Sequence, residues 1–359
     1  MKKSQSILIV LLFSLFIGLV AILSLVLPKR DFSETENRYL ERIHEFNSKS
    51  VFSGSFSDDA SDYISDHIAG RDFWVRCKAE LEKLSGKTEN NDVFFCTDKT
   101  LIKRVNEPDS EKLMKNIGYV NRLASSAGVP VYFGVIPTAA SIWQYELPVG
   151  APTADESAYI EKMYAACDAR CIDISYALNA HKTEDIYYRT DHHWTSLGAY
   201  YGANAVFDCM GLPPLDISAY EKKTVSRDFY GTVWSSSGGI SVSPDNIDIY
   251  VPEIEDGCLY HSEYLDKKDK YSYFLGGNQP LCVIDTHKGG EKLLVIRDSY
   301  ADSLSPFLTE RFSEIHLFDL RYNRMKITDY IEENGIDCVL VLYGFDNIKD
   351  DPNLVFMTR

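Results

Sequence analysis

The sequence predicts an α/β domain built on a mostly parallel sheet and carried behind one membrane-spanning helix. Three observations lead there. Uncharged apolar runs of strand length, such as Leu293-Leu294-Val295-Ile296 and Cys338-Val339-Leu340-Val341-Leu342, alternate with amphipathic, helix-period segments. Near the start, Ile7 to Leu27 runs 21 positions without a charge. Across 359 residues, 45% are apolar and 25% charged, enough to bury a real core. That composition excludes a disordered chain, a collagen and a simple coiled coil.

Residues 1–27 read as an anchor. At 1.5 Å per residue, the uncharged run reaches roughly 31 Å, close to the hydrocarbon thickness of a bilayer. A cleaved secretory signal is the alternative, but its apolar core is shorter, and no A-x-A-like site precedes Pro28. Lys2 and Lys3 flank one end, Lys29 and Arg30 the other, so the positive-inside rule is nearly balanced. With no second apolar span, the six-residue tail is expected inside and the bulk of the chain outside a cytoplasmic membrane. Over the whole chain, 37 basic against 53 acidic residues give a net charge of −16, which repels phosphate backbones and argues against nucleic acid as a partner.

Residues 28–104 form an expected stalk and N-terminal helical and hairpin region. Residues 28–55 are polar and weakly periodic. Apolar positions at helical spacing from Phe56 to Leu84, interrupted at Gly70-Arg71-Asp72, predict two helices. A short hairpin is expected over 92–103. The main domain, 105–359, then follows an α/β rhythm: helix 110–127, strand 129–136 stopped by Pro137, helix 155–169, strand 171–174, an extended stretch 186–189, and helix 195–210 before Gly211. Residues 215–280, rich in Tyr, Gly and Ser, read as an irregular insertion with a strand near 247–251. The rhythm returns with strand 292–296, helix 303–312, strand 315–318, helix 327–334 and strand 337–343.

The eight cysteines include no Cys-x-x-Cys pair, so a zinc site is not expected. Cys209, Cys282 and Cys338 sit in apolar stretches and read as small buried hydrophobes. No G-x-G-x-x-G or Walker sequence occurs, and no cofactor is expected.

In an open α/β sheet, reactive groups collect beyond the carboxyl ends of the strands. After 186–189 come Thr190-Asp191-His192-His193-Trp194; after 292–296 come Arg297-Asp298-Ser299; after 315–318, Asp319-Leu320-Arg321-Tyr322; after 337–343, Gly344-Phe345-Asp346-Asn347. This is a hydrolase or acyl-transferase inventory. Ser299 lies where a strand turns into a helix. It is there either as an N-cap or as a nucleophile whose own N–H helps hold an oxyanion. Asp191 and His193 are two apart in an extended segment and share a face, with His192 projecting to the other side. That pairing suits a carboxylate orienting an imidazole base, although a hydrogen-bonded structural histidine has the same appearance. Adjacent histidines also invite a metal reading, which the absence of Glu or Cys at ligand spacing disfavours. Trp194 walls the site or packs beneath it. The Ser235–Gly239 run is expected to be a loop, possibly over the site, and the insertion's tyrosines either line a sugar groove or pack. His181, His287 and His316 have no spaced partners and read as surface or core residues.

Asp191-His192-His193-Trp194 is the signature of the bacterial DHHW proteins, which resemble the SGNH-like acetyltransferase domains of alginate O-acetylation proteins. The resemblance extends loosely to the anchor, Phe32–Arg38, Asp298-Ser299 and Asp319–Tyr322. It implies an SGNH-hydrolase-like three-layer α/β/α sandwich, with Ser299 as nucleophile, His193 as base and Asp191 as its orienter. Asn347, Arg321, Tyr343 and Trp194 become candidates for substrate or oxyanion contacts, Arg321 being equally readable as a surface salt bridge. Two departures stand out: Arg297 occupies the glycine position of Gly-Asp-Ser, and the histidine element precedes the serine, an order that geometry tolerates. The resemblance further implies a membrane-anchored O-acyltransferase that acetylates a cell-envelope or exported polysaccharide, served by a multipass membrane acyltransferase that delivers acetyl groups. An esterase of the same fold and a non-catalytic polysaccharide-binding subunit are the rival readings.

Overall fold

The computed structural model describes residues 3–36, 38–42 and 52–358. The chain forms two compact units. One comprises residues 1–91 with 235–241, the other 92–234 with 242–359.

In the smaller unit, helix Lys3–Val26 contains a 23-residue span, Ser4–Val26, long and apolar enough to cross a membrane, a test that a signal sequence also passes. Helix Ser55–His67 ends at Ile68, whose backbone is extended, and helix Arg71–Leu84 starts at Gly70, whose φ of 71° is left-handed. Much of the expected stalk, residues 43–51, lies outside the described residues; before it, Phe32–Ser33 pairs with Arg38–Tyr39. Arg38 grips buried Asp66 with both guanidinium arms at 2.8 and 2.5 Å, which holds that carboxyl down at about 2. The Ser235–Gly239 run is not an open loop. Residues 232–236 are helical, Ser235 and Ser237 are buried, and Asn90 Nδ2 donates to the Ser237 carbonyl at 3.0 Å.

The larger unit holds a six-stranded sheet in the spatial order 281–285, 314–318, 292–297, 338–344, 131–136, 170–172. All neighbours are parallel except the edge pair 281–285 with 314–318. Every residue of 131–136 and 338–344 is buried, so both faces are covered by helices, as uninterrupted apolar strands require. The result is the three-layer α/β/α sandwich. Strand 292–297 pairs on both sides and lies inside the sheet.

Several boundaries shift from expectation. Helix Ile174–Ala180 and edge strand Leu281–Asp285 are additional elements. The helix after Ser299 spans Tyr300–Leu308 rather than 303–312. Residues 186–189 form no sheet strand, only a single bridge between Tyr187 and Trp194. The insertion carries a two-stranded ribbon of Lys223–Phe229 and Asp245–Ile249 amid short 3₁₀ turns. Of the cysteines read as buried, Cys338 is; Cys209 and Cys282 are only half-buried.

Candidate active site

Ser299 sits between the last residue pair of the central strand and the first turn of the helix it caps. Its backbone is right-handed helical (φ −66°, ψ −13°), and its side chain makes no capping bond. The hydroxyl instead meets His193 Nε2 at 2.8 Å. On the other edge of the ring, His193 Nδ1 lies 2.6 Å from Asp191 Oδ1. A carboxylate only accepts, so Nδ1 carries the proton and Nε2 is left to accept from the serine. Three side chains, His193 lying 106 positions and Asp191 108 positions before Ser299, thus form one unbroken hydrogen-bonded path.

Asp191 and His193 meet through a turn rather than by strand alternation. Asp191 Oδ1 also accepts the His193 backbone N–H at 3.0 Å, closing an Asx turn. Oδ2 accepts from the Thr232 N–H at 2.7 Å and the Thr232 hydroxyl at 2.9 Å. Burial by itself would raise the Asp191 carboxyl; the two imidazoles and these hydrogen bonds hold it well below the usual carboxylate range. His192 does not project to the opposite side. Its ring lies beside that of His193, centroids 3.9 Å apart, and its Nδ1 donates to Thr232 Oγ1 at 2.7 Å. Asp191, His192 and His193 form the one His/Cys/Asp/Glu cluster with metal-like spacing among the described residues. Both Asp191 oxygens and both His193 nitrogens are already bonded within the protein.

The path is mounted on the helix head by a reciprocal grip. Trp194 Nε1 donates to the Tyr300 carbonyl at 2.9 Å, and the Tyr300 hydroxyl donates to the His192 carbonyl at 2.6 Å. Trp194 is fully buried, which removes it from the substrate-contact candidates and leaves it the packing role. Gly202 makes this possible, since a Cβ there would lie 2.6 Å from the indole. Tyr343 is buried as well and is likewise no contact for substrate.

Asp298 ties the serine turn to the neighbouring strand end. It accepts from Tyr300 N–H at 3.0 Å, Gly344 N–H at 2.7 Å and Asn347 Nδ2 at 2.7 Å. Burial pushes its carboxyl up and these donors pull it back. Asn347 therefore spends one amide N–H on Asp298 instead of standing free for an oxyanion, and its second N–H remains. Arg321 is held by Asp319, at 2.6 Å through Nη2, and by Asn278 at 2.9 Å. Its salt-bridge reading is the one the geometry favours. Arg297, in the position where a glycine is usual, is fully buried beside Asp302 at 2.7 Å.

The residues the sequence left hidden come from the insertion. Thr232 clamps Asp191, Gly231 lies against the same carboxylate, and Tyr271 stacks on His193. No periodicity marks them; only the Gly231-Thr232 dipeptide resembles a tight approach. The three histidines read as surface or core residues have local partners: His316 with Tyr330 and Glu314, His181 with Glu184, His287 with Asp256.

Comparison with known proteins agrees with the signature. The family model described as DHHW protein matches residues 110–318. A DHHW family protein from Eubacterium siraeum DSM 15702 has a similar structure, with TM-score 0.66 and 26% identity over 75% of this chain and 95% of that one. Bacillus cereus PatB1 with a sulfonyl adduct is similar at TM-score 0.63 and 20% identity, over 74% of this chain and 98% of that one. A second PatB1 structure gives 0.59 and 19%, over 73% and 97%. No curated protein matches the chain.

Proposed function

The chain belongs to the DHHW protein family, and from that premise we propose that it is an O-acyltransferase working through an acyl-serine on Ser299. The observation that carries this reading is the continuous hydrogen-bonded path from Asp191 through His193 to Ser299. His193 Nε2 takes the serine proton as Oγ attacks the carbonyl carbon of an activated acyl ester. The oxyanion forms beside the Ser299 N–H, which no protein acceptor takes among the described residues. As the tetrahedral intermediate collapses, His193 returns the proton to the departing group and the acyl-serine remains. A sugar hydroxyl then gives its proton to His193, attacks the ester carbonyl, and leaves acylated as Ser299 Oγ is reprotonated. Asp191 holds the tautomer throughout and stabilises the transient imidazolium.

The acceptor is a cell-envelope or exported polysaccharide. The apolar helix Ser4–Val26 serves as a single-pass anchor with the site on the outer side. Acyl groups then have to cross the membrane, so a multipass membrane acyltransferase is the partner that supplies them. Full-length protein in detergent, given an activated acetyl ester, gains one acetyl group on Ser299 and transfers it faster when a glycan is present. A sulfonyl fluoride labels the same serine, the probe being suggested by the adduct held by PatB1. Unmodified Ser299 under both reagents refutes the reading; turnover indifferent to glycan converts it to an esterase.

A further inference from the structure

Given the proton path just proposed, we infer that Tyr271 is a positioning residue whose phenol face seats the His193 imidazole and attracts the charge that develops on it during proton transfer. The two rings are stacked at 3.8 Å between centroids and 6° between planes, so the phenol covers one face of the imidazole. The insertion delivers this ring from 78 positions away along the chain, in the 3₁₀ turn Lys270–Tyr273. It is fixed there from all sides. Tyr188 and Phe274 pack against its edges at 6.3 and 5.5 Å, and the residue is 5% exposed.

The hydroxyl end is anchored on the element that carries the nucleophile. The Tyr271 hydroxyl lies 3.1 Å from the Ser299 carbonyl and 3.0 Å from Ser303 Oγ. The carbonyl only accepts, so the phenol donates to it and the Ser303 hydroxyl donates to the phenol. One side chain therefore touches the base through its face and the backbone of the serine through its edge. Burial keeps the hydroxyl protonated, so the ring stays a neutral phenol.

The stacking is more than spacing. When His193 takes the serine proton, a positive charge appears on the ring lying over the phenol. The negative face of an aromatic ring attracts that charge, and attracts the neutral imidazole far less. An interaction that grows only as charge develops lowers the barrier instead of merely tightening the ground state.

The test varies the ring's electrons while keeping its shape. In the full-length protein, Tyr271→Phe, which keeps the ring and removes the hydroxyl anchor, sets the reference rate of sulfonyl fluoride labelling for the series. Replacing residue 271 by 4-fluoro-, 3,5-difluoro- and 3,4,5-trifluorophenylalanine should slow labelling stepwise, by roughly 10-fold at the end of the series. Tyr271→Leu, which has no face, should be slower still. A fluorinated series as fast as the phenylalanine variant overturns the inference, and because those rings are nearly isosteric, misfolding does not obscure it. His193→Ala separates the two claims. If it abolishes labelling while the fluorine series is flat, only the role of Tyr271 falls; if it labels like wild type, the proposed proton path falls first.

Discussion

Gly231→Ala tests the clamp on Asp191 with the smallest possible change. A Cβ on Gly231 would stand 2.2 Å from Asp191 Oδ2, 2.3 Å from its Cβ and 2.6 Å from its Cγ, where ordinary contact begins near 3.4 Å. Something has to retreat by about 1 Å. The backbone of Gly231 has no left-handed φ, so alanine fits the chain itself and the whole effect falls on the contact. Whether the carboxylate withdraws or the Gly231–Thr232 backbone does, Asp191 is pulled out of the clamp formed by Thr232 and His193. A shift of that size takes the 2.6 Å bond to His193 Nδ1 beyond hydrogen-bonding range. The imidazole then loses its fixed tautomer, a loss of about 10²–10⁴-fold in rate in related triads. The assay is the rate of Ser299 modification by sulfonyl fluoride, with far-ultraviolet circular dichroism as a check on folding. Gly118→Ala is the control: a Cβ there meets nothing within 4 Å, and a helix gains up to about 1 kcal/mol from the change. A folded Gly231→Ala protein that reacts within about 3-fold of wild type would refute the claim that Asp191 orients the base.

Two further predictions concern stability. Asp302→Ala strips the partner from buried Arg297 and should cost about 3–5 kcal/mol in denaturant unfolding, whereas the double change Arg297→Met with Asp302→Leu should recover most of it. A double variant no more stable than the single one would show that the pair does more than neutralise itself. Glu156, buried and accepting from the Thr138 N–H at 2.9 Å, is pushed up to about 7 by burial, against 4.5 for the free group. Its folded value is the higher one, so its contribution is complete below pH 4.5 and is lost as pH rises through 7. Glu156→Gln should therefore match wild type at pH 4 and exceed it at pH 8, by at most roughly 3 kcal/mol; equal stability at both pH values counts against a buried ionising carboxylate.

What the sequence made legible was whatever repeats or terminates locally. Within strands 292–297 and 338–344, the runs Leu293–Ile296 and Cys338–Tyr343 carry no charge because both faces are covered, and that pattern needs no tertiary knowledge. Their carboxyl ends brought Ser299, Asp298 and Asn347 to one rim, and the Asp-His-His-Trp signature identified the partners. Edge strand 281–285 stayed hidden because only Ile284 within it is fully buried, so its burial does not alternate cleanly. Segment 186–189 is extended for a different reason than sheet pairing: the Tyr187–Trp194 bridge shapes the turn that follows. Tyr271 had no signal that set it apart from the other tyrosines of the insertion, and Thr232 only the glycine before it. Each acts through a contact made only after a non-periodic insertion has folded back on the sheet rim.

The four-residue signature then has a physical explanation that a list of reacting groups omits. Asp191 and His193 supply the proposed proton path through their side chains. His192 and Trp194 supply its mount, the first through its backbone carbonyl and the second through its indole N–H, both gripping Tyr300. Tyr300 is the first residue of the helix that Ser299 caps, so the base is fastened one residue from the hydroxyl it must reach. A turn without regular strand pairing would otherwise be the least rigid place to hold an imidazole at 2.8 Å from its target. Fastening it to a helix head, wedging it over Gly202 and covering it with an aromatic ring from the insertion replace the order that a sheet would have given. Chain order is then irrelevant to the chemistry, since the Asp191–His193 turn and Ser299 are joined by contacts in space and not by which of them comes first along the chain.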